Sequence, residues 1–266
     1  MDQGSVSSDA RLDPVLAVSN VDVEIAGRRL VEGLTLAARA GDFIAVLGEN
    51  GVGKTLTLHT LAGLRPPAAG RIVVQGTDLH LWPRRALARV LGLLAQSSED
   101  PFPSTVLETA LIGRHPHIEF WQWESERDLG TARGALANVD LAALEDRTVE
   151  TLSGGERRRL AIATVLTQEP RLYLLDEPTN HLDPHHQLEI LQLFRARADQ
   201  GASVIATLHD ATLAARFADQ VLMLFGDGAW VFGPSAAVLD AAHLTRLYRT
   251  SIHELDFRGR RVFVSE

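Results

Sequence analysis

Gly48, Glu49, Asn50, Gly51, Val52, Gly53, Lys54 and Thr55 fit the phosphate-binding pattern G-x-x-x-x-G-K-[ST]. Glycines in such a loop let backbone N–H groups curl around a polyphosphate, and the helix start that follows adds partial positive charge. Lys54 supplies a point charge for the outer phosphates, the Thr55 hydroxyl is placed to ligate Mg²⁺, and the Leu56 N–H can reach a phosphate. A second constellation lies further along, where the apolar run Leu172–Leu175 ends in Asp176 and Glu177. Such a strand can be buried on both faces of a parallel sheet, its end delivering side chains to the phosphate site. Asp176 is placed to hold the hydration shell of Mg²⁺. Glu177 points elsewhere and can orient or deprotonate an attacking water. Between the two, Leu152, Ser153, Gly154, Gly155 and Glu156 open a helical stretch reaching Thr167. Ser153 by itself reads as an ordinary helix cap; its place just before the acidic strand gives it weight.

The hydrophobic pattern supplies elements to carry these groups. Val15–Val23 and Leu34–Ala40 read as strands with a turn at Gly27-Arg28-Arg29, and Phe43–Leu47 leads straight into the phosphate loop. The helix Lys54–Gly63 is stopped by Gly63 and by Pro66-Pro67. Arg71–Gln75 and Val90–Leu94 are further strands. From Ser97 to Glu150 the pattern turns helical, with helices expected at Val106–Ile112, Glu124–Val139 and Leu141–Leu144. Strand Leu172–Leu175, helix Pro184–Ala198 and strand Ser203–Leu208 follow, then strands Gln220–Phe225 and Ala229–Phe232 and a tail with helix His243–Tyr248. Alternating strands and helices imply a mostly parallel, doubly wound α/β core.

Composition narrows the function classes. The 266 residues include no cysteine, which rules out disulfides and thiolate metal sites. A net charge of −8 argues against a nucleic-acid binder. No apolar stretch approaches the ~20 residues needed to span a bilayer. Residues 1–14 are polar and acidic, and read as a disordered leader. Ten histidines invite a metal reading. His115 with His117 and His185 with His186 lack the carboxylate–histidine spacing of metalloenzyme helices, and are read as surface or locally bonded groups. His209 differs, because it ends the apolar strand Val204–Leu208 beside the ends of the other core strands.

With these residues in this order, the chain resembles the nucleotide-binding subunit of an ATP-binding-cassette (ABC) transporter from roughly Leu16 onward. The resemblance implies a P-loop NTPase of ABC type: a mostly parallel core sheet, an antiparallel β subdomain and an inserted helical subdomain. It places an ABC ATPase domain at 15–250, its helical subdomain at about 97–165, and a C-terminal tail at 251–266. It matches Gly48–Thr55 to Walker A, Gln96 to the Q-loop glutamine and Leu152–Glu156 to the signature. Leu172–Asp176 matches Walker B, Glu177 the catalytic glutamate, Asn180–Asp183 the D-loop and His209 the switch histidine. The implied reaction is ATP hydrolysis with Mg²⁺ held by Thr55, Gln96 and Asp176. Two copies pair head to tail so that Ser153, Gly154, Gly155 and Glu156 of one complete the other's site. Lys54, Glu177 and His209 act on the phosphate and the water, while Asn180, His181 and Asp183 link the two sites. Implied partners are integral-membrane permease subunits and, indirectly, an extracytoplasmic substrate-binding protein, with the chain peripheral on the cytoplasmic face of the inner membrane.

Gly113-Arg114-His115-Pro116-His117, Glu177–Asp183 and the tail from Gly233-Pro234 to Leu247-Tyr248 resemble the importer branch for iron(III) chelates, haem and cobalamin. The alternatives are a soluble ABC ATPase in assembly or repair, such as iron–sulfur assembly, and an exporter subunit. Phe102, Phe120, Trp121 and Trp123 form an aromatic cluster that either fills the core of the helical lobe or lines a groove for a permease helix. The family's adenine-stacking aromatic is missing from Asp22–Arg28, where Ile25 falls nearest, so weak discrimination between ATP and GTP is expected.

Overall fold

The computed structural model describes residues 13–96, 103–119 and 121–266. Its strands are β1 (Leu16–Ile25), β2 (Arg28–Ala38), β3 (Phe43–Leu47), β4 (Ala69–Val74), β5 (Thr77–Asp78) and β6 (Leu91–Leu94). They continue with β7 (Leu172–Leu175), β8 (Ser203–Thr207), β9 (Gln220–Leu224), β10 (Trp230–Pro234), β11 (Ile252–Asp256) and β12 (Arg261–Ser265). The helices are α1 (Lys54–Leu61), α2 (Arg84–Leu87), α3 (Val106–Leu111), α4 (Glu126–Ala137) and α5 (Gly154–Thr167). After the acidic strand come α6 (Pro184–Asp199), α7 (Ala211–Phe217), α8 (Ser235–Val238) and α9 (Ala241–Tyr248).

Every residue of β3, β7 and β8 is buried, which requires a sheet covered on both faces. These strands sit inside a six-stranded sheet of order β10-β9-β3-β8-β7-β6, parallel except for the edge strand β10. A second sheet, order β2-β1-β4-β5, is antiparallel throughout. The two faces of β3 feed two cores, as a period of two demands. Phe43, Ala45 and Leu47 join the core shared with α5, α6 and the helical lobe. Ile44 and Val46 join the core beneath the antiparallel sheet, with Leu58 and Leu61 of α1.

Some boundaries differ from the sequence reading. The first hairpin turns at Ala26 and Gly27, both left-handed at φ 48° and 76°, so β2 starts at Arg28 rather than Leu34. Two central residues with positive φ match the twist of the flanking strands. The polar start of β2 is held by ion pairs, Arg29 bridging Glu24 and Glu32, which a hydrophobic pattern does not register. Helix α7 went unread. Its start is fixed by the Asp210 carboxylate, which accepts hydrogen bonds from the N–H groups of Thr212 and Leu213. Residues 252–265 of the tail form the hairpin β11–β12.

In the helical region α3, α4 and α5 pack on one another. Thr105, Ser125 and Ser153 each start one of them with a reciprocal capping box. Of the two readings of the aromatic cluster, the core one fails for Trp121 and Trp123, which are 89% and 90% exposed. The interior of the lobe is aliphatic, built from Val106, Ala110, Ala132, Leu136 and Leu160. Phe102, Phe120 and residues 1–12 of the expected leader lie outside the described residues.

Candidate nucleotide site

Strand β3 ends in the phosphate loop, and two glycines there are required by geometry. A Cβ on Gly48 would fall 2.9 Å from the Leu224 carbonyl oxygen. Gly53 stands at the start of α1 with φ 106°, a conformation that side chains oppose. Lys54, only 5% exposed, donates from Nζ to the carbonyl oxygens of Gly48 at 2.7 Å and Glu49 at 3.1 Å. The ammonium therefore sits inside the loop. Burial lowers its pKa, while the charges of Glu177 and Asp176 oppose that shift.

Strands β7 and β8 set the acidic side. Asp176 is fully buried; its Oδ1 accepts a 2.8 Å hydrogen bond from Thr207 Oγ1, and its Oδ2 is buried with no partner. The Thr207 hydroxyl in turn accepts from the Glu177 N–H at 2.7 Å. Glu177 is left-handed at φ 49°, strained for a non-glycine residue, which turns its side chain away from the strand. Around that carboxylate three expected residues converge. His209 Nε2 lies 2.7 Å from Oε1, Gln96 Nε2 donates to Oε2 at 3.0 Å, and Asn180 Nδ2 donates to Oε2 as well.

A cleft of about 670 Å³ joins the two sides, lined by Asn50, Gly51, Gly53, Lys54, Thr55, Leu56, Gln96, Glu177, Asn180 and His209 together with Ile25, Arg28 and Leu30. Val52 is buried beneath the loop. The signature residues are not part of the cleft wall. Ser153 caps α5, its Oγ accepting from Glu156 N–H while the Glu156 carboxylate accepts from Ser153 N–H. Ser153 and Gly154 face solvent, and Gly155 lies against the chain's own His181 carbonyl, to which an added Cβ would come within 3.3 Å. Asp183 caps α6 through His186 N–H at 3.0 Å.

The donor set suits a hard cation. A threonine hydroxyl, an amide oxygen and a carboxylate are oxygen ligands of the kind Mg²⁺ takes. The orphaned, buried Asp176 Oδ2 is an acceptor in want of a charge. Away from the cleft, Asp140, His186 and Glu189 bring ligand atoms within 4.8 Å of one another, and His185 Nε2 lies 3.3 Å from Glu189 Oε1 one helical turn on, so these histidines do have a carboxylate at helical spacing, contrary to expectation.

Three contributors escaped the sequence reading. Thr207 looked like one more strand residue. Arg158 on α5 is buried despite its charge. It donates to the carbonyl oxygens of Ala95 at 2.7 Å, Glu177 at 2.8 Å and Asp176, so it ties the signature helix to both the acidic strand and the Q-loop. Arg28 shares the mouth of the cleft with Ile25 and is steadied by the Gly226 carbonyl at 3.2 Å. No periodicity signals any of the three, since each acts through main-chain or tertiary contacts.

Comparison with known proteins bears on the family and the fold. The family model described as "ABC transporter" matches residues 31–180. The chain is 41% identical over 232 residues to the hemin import ATP-binding protein HmuV of Gloeobacter violaceus, covering 85% of this chain and 84% of that one. It is 36% identical over 218 residues to the achromobactin transport ATP-binding protein CbrD of Dickeya dadantii, covering 82% and 81%. A solved structure described as an inward-facing conformation of a metal-chelate type ABC transporter superposes with a TM-score of 0.83 at 29% identity, covering 96% of this chain and 98% of that one. On the shared loop, acidic strand and fold, the chain belongs to the ABC transporter family, as one of its ATP-binding, ATP-hydrolysing subunits.

Proposed function

We propose that the chain energises a membrane importer for a metal chelate, with haem or another iron(III) chelate, or the related cobalamin, as cargo. It does so as a head-to-tail pair of copies on two permease subunits, peripheral on the cytoplasmic face of the inner membrane. An extracytoplasmic binding protein feeds the cargo. The cargo class rests on similarity to import subunits named for hemin, cobalamin and achromobactin. Among the described residues no helix is long and apolar enough to cross a membrane; the attachment proposed is to the permease subunits.

The observation carrying the chemistry is the convergence of His209, Gln96 and Asn180 on one strained carboxylate, Glu177. Lys54 and the loop N–H groups hold the β- and γ-phosphates of ATP, and Thr55, Gln96 and Asp176 would hold Mg²⁺. The metal supplies charge neutralisation on the phosphate oxygens. Glu177 accepts a hydrogen bond from the attacking water and orients it, and His209 fixes the Glu177 rotamer while facing the γ-phosphate. In-line attack forms a bond from the water oxygen to Pγ as the bond between Pγ and the bridging oxygen breaks. The water's proton passes to the Glu177 carboxylate and on to the released phosphate or solvent, giving ADP and phosphate; catalysis is mainly positioning and charge stabilisation. Because the cleft of one chain lacks Ser153, Gly154 and Gly155, the exposed Ser153 and Gly154, with the half-buried Gly155 N–H beside them, close on the partner copy's γ-phosphate. Asn180, His181 and Asp183 then lie beside that junction, and Gln96, at the border of the helical lobe, transmits phosphate occupancy to the permease.

Co-purification from detergent-solubilised membranes, followed by reconstitution into liposomes, tests the assignment. A multi-helix permease should accompany the chain, and its ATPase rate should rise with a chelate-loaded binding protein. Recovery of the chain solely with ribosomes or a soluble assembly complex would overturn it.

A further inference from the structure

The C-terminal segment reaches the same site from behind. Helix α9 anchors itself by burying Leu244 and Leu247 in the main core. Its last residue, Tyr248, packs against that core and donates its hydroxyl to the His209 backbone oxygen at 3.2 Å. One residue on, Arg249 is left-handed at φ 54°, and its Nε lies 3.4 Å from Glu49 Oε2 of the phosphate loop. The hairpin that follows is fastened to the other end of the same turn. Phe263 N–H donates to the hydroxyl of Thr212, in the first turn of α7, at 3.1 Å, and Ile252 N–H donates to Thr245 Oγ1 at 3.1 Å.

His209 needs such support. It stands between the end of β8 and the Asp210 cap of α7, and its side chain is 44% exposed. A half-exposed imidazole has little packing to hold it at 2.7 Å from Glu177 Oε1, so its backbone must be fixed instead. We propose that Tyr248 is a positioning residue for ATP hydrolysis: its hydroxyl fixes the His209 main chain and so aims the imidazole at Glu177 and the γ-phosphate. This rests on the role given above to His209. Burial raises the Tyr248 pKa to about 12, so the phenol stays a donor across the working pH range. Arg249 contributes less, since a solvent-exposed pair is weak.

The test is single-turnover hydrolysis of radiolabelled ATP by the full chain in excess, with MgATP affinity and thermal midpoint measured alongside. Tyr248→Phe keeps the packed ring and removes only the hydroxyl. The rate should fall about 3- to 10-fold, the equivalent of one neutral hydrogen bond, with Kd for MgATP within about 2-fold and the thermal midpoint lowered by no more than about 4 °C. In a His209→Ala background the same change should have no further effect, because the positioned group is gone. A Tyr248→Phe rate equal to wild type, or a loss that persists undiminished alongside His209→Ala, would overturn the proposal while leaving the site reading intact. An unimpaired His209→Ala would overturn both.

Discussion

Two buried charge clusters, one in the helical lobe and one under the nucleotide cleft, are finished to different degrees. In the lobe, buried Arg114 gives Nε to Asp128 at 2.8 Å and Nη1 to the Thr167 carbonyl and to Glu169 at 3.1 and 2.8 Å. The second Asp128 oxygen accepts from the Ser125 N–H and hydroxyl at 3.0 and 2.6 Å. Among the described residues, no buried side-chain atom of this cluster lacks a partner. Under the cleft, Asp176 Oδ2 and Arg158 Nε are buried without one, and Glu177 is held at a positive φ. A saturated network fixes a fold. An incomplete one at strained positions retains capacity for ligand charge, and that is where local rules are broken for function.

Changes aimed at each cluster should therefore fail in different ways. The largest effect is expected of Glu177→Gln, which keeps the size of the side chain but removes the base proposed above. Steady-state hydrolysis should fall by about 10²–10⁴-fold, with MgATP binding retained and an ATP-bound dimer accumulating on size exclusion. Lys54→Ala should instead lose binding. Wild-type turnover by Glu177→Gln, free of contaminating ATPase, would remove Glu177 from the chemistry.

Next in size is Asp128→Ala. Leaving Arg114 short of its buried partner should cost about 2–4 kcal/mol in urea unfolding, without abolishing nucleotide binding at low denaturant. The effect has a definite pH signature. Hydrogen bonds from the Ser125 side chain and N–H, then the Arg114 pairing, pull the Asp128 carboxyl from 3.8 down to about 2 against the opposing effect of burial. A depressed folded-state pKa gives stability that is present above the unfolded value and lost as pH falls through the folded one. The gap between wild type and Asp128→Ala should thus be full above about pH 4–5 and close towards pH 2. A gap independent of pH would mean that packing, not charge, holds the lobe.

Smaller still is the effect at the cleft mouth. Ile25, 47% exposed, offers an aliphatic face beside Arg28. Wild type should discriminate weakly between ATP and GTP, and Ile25→Tyr should tighten ATP binding by roughly 1–3 kcal/mol, the worth of one stacked base. Strong ATP preference in wild type, unchanged by the tyrosine, would assign base recognition elsewhere, Arg28 being the next residue to replace. The least change in stability is expected of Trp121→Ala, within about 0.5 kcal/mol because the ring is at the surface. Co-purification with the permease should weaken nonetheless; undiminished recovery would take Trp121 out of the docking face.

The reading from sequence worked where chemistry and local pattern coincide. The phosphate loop follows a strand of unbroken apolar residues, Leu172–Leu175 ends on its two carboxylates as expected, and Ser153 caps its helix as expected. It set the first turn one residue late, at Gly27-Arg28-Arg29 rather than Ala26-Gly27, and missed helix α7 behind Asp210 and the hairpin β11–β12. It also allowed the two tryptophans an interior place that the aliphatic lobe does not give them.

By itself the sequence determined the kind of reaction, because phosphate binding needs glycines, a lysine and a hydroxyl at fixed spacing, and those are covalent facts of the chain. It also determined the parallel core, since fully apolar strands fit only a sheet covered on both sides. Only the tertiary structure decided which groups meet around Glu177. Gln96, Asn180 and His209 arrive from three separate connections, and Arg158, Thr207 and Tyr248 act through contacts between residues 18 to 63 positions apart. Long-range hydrogen bonds of this kind leave no periodic trace, because each depends on how packed layers bring chain ends together and not on what stands beside a residue in the sequence.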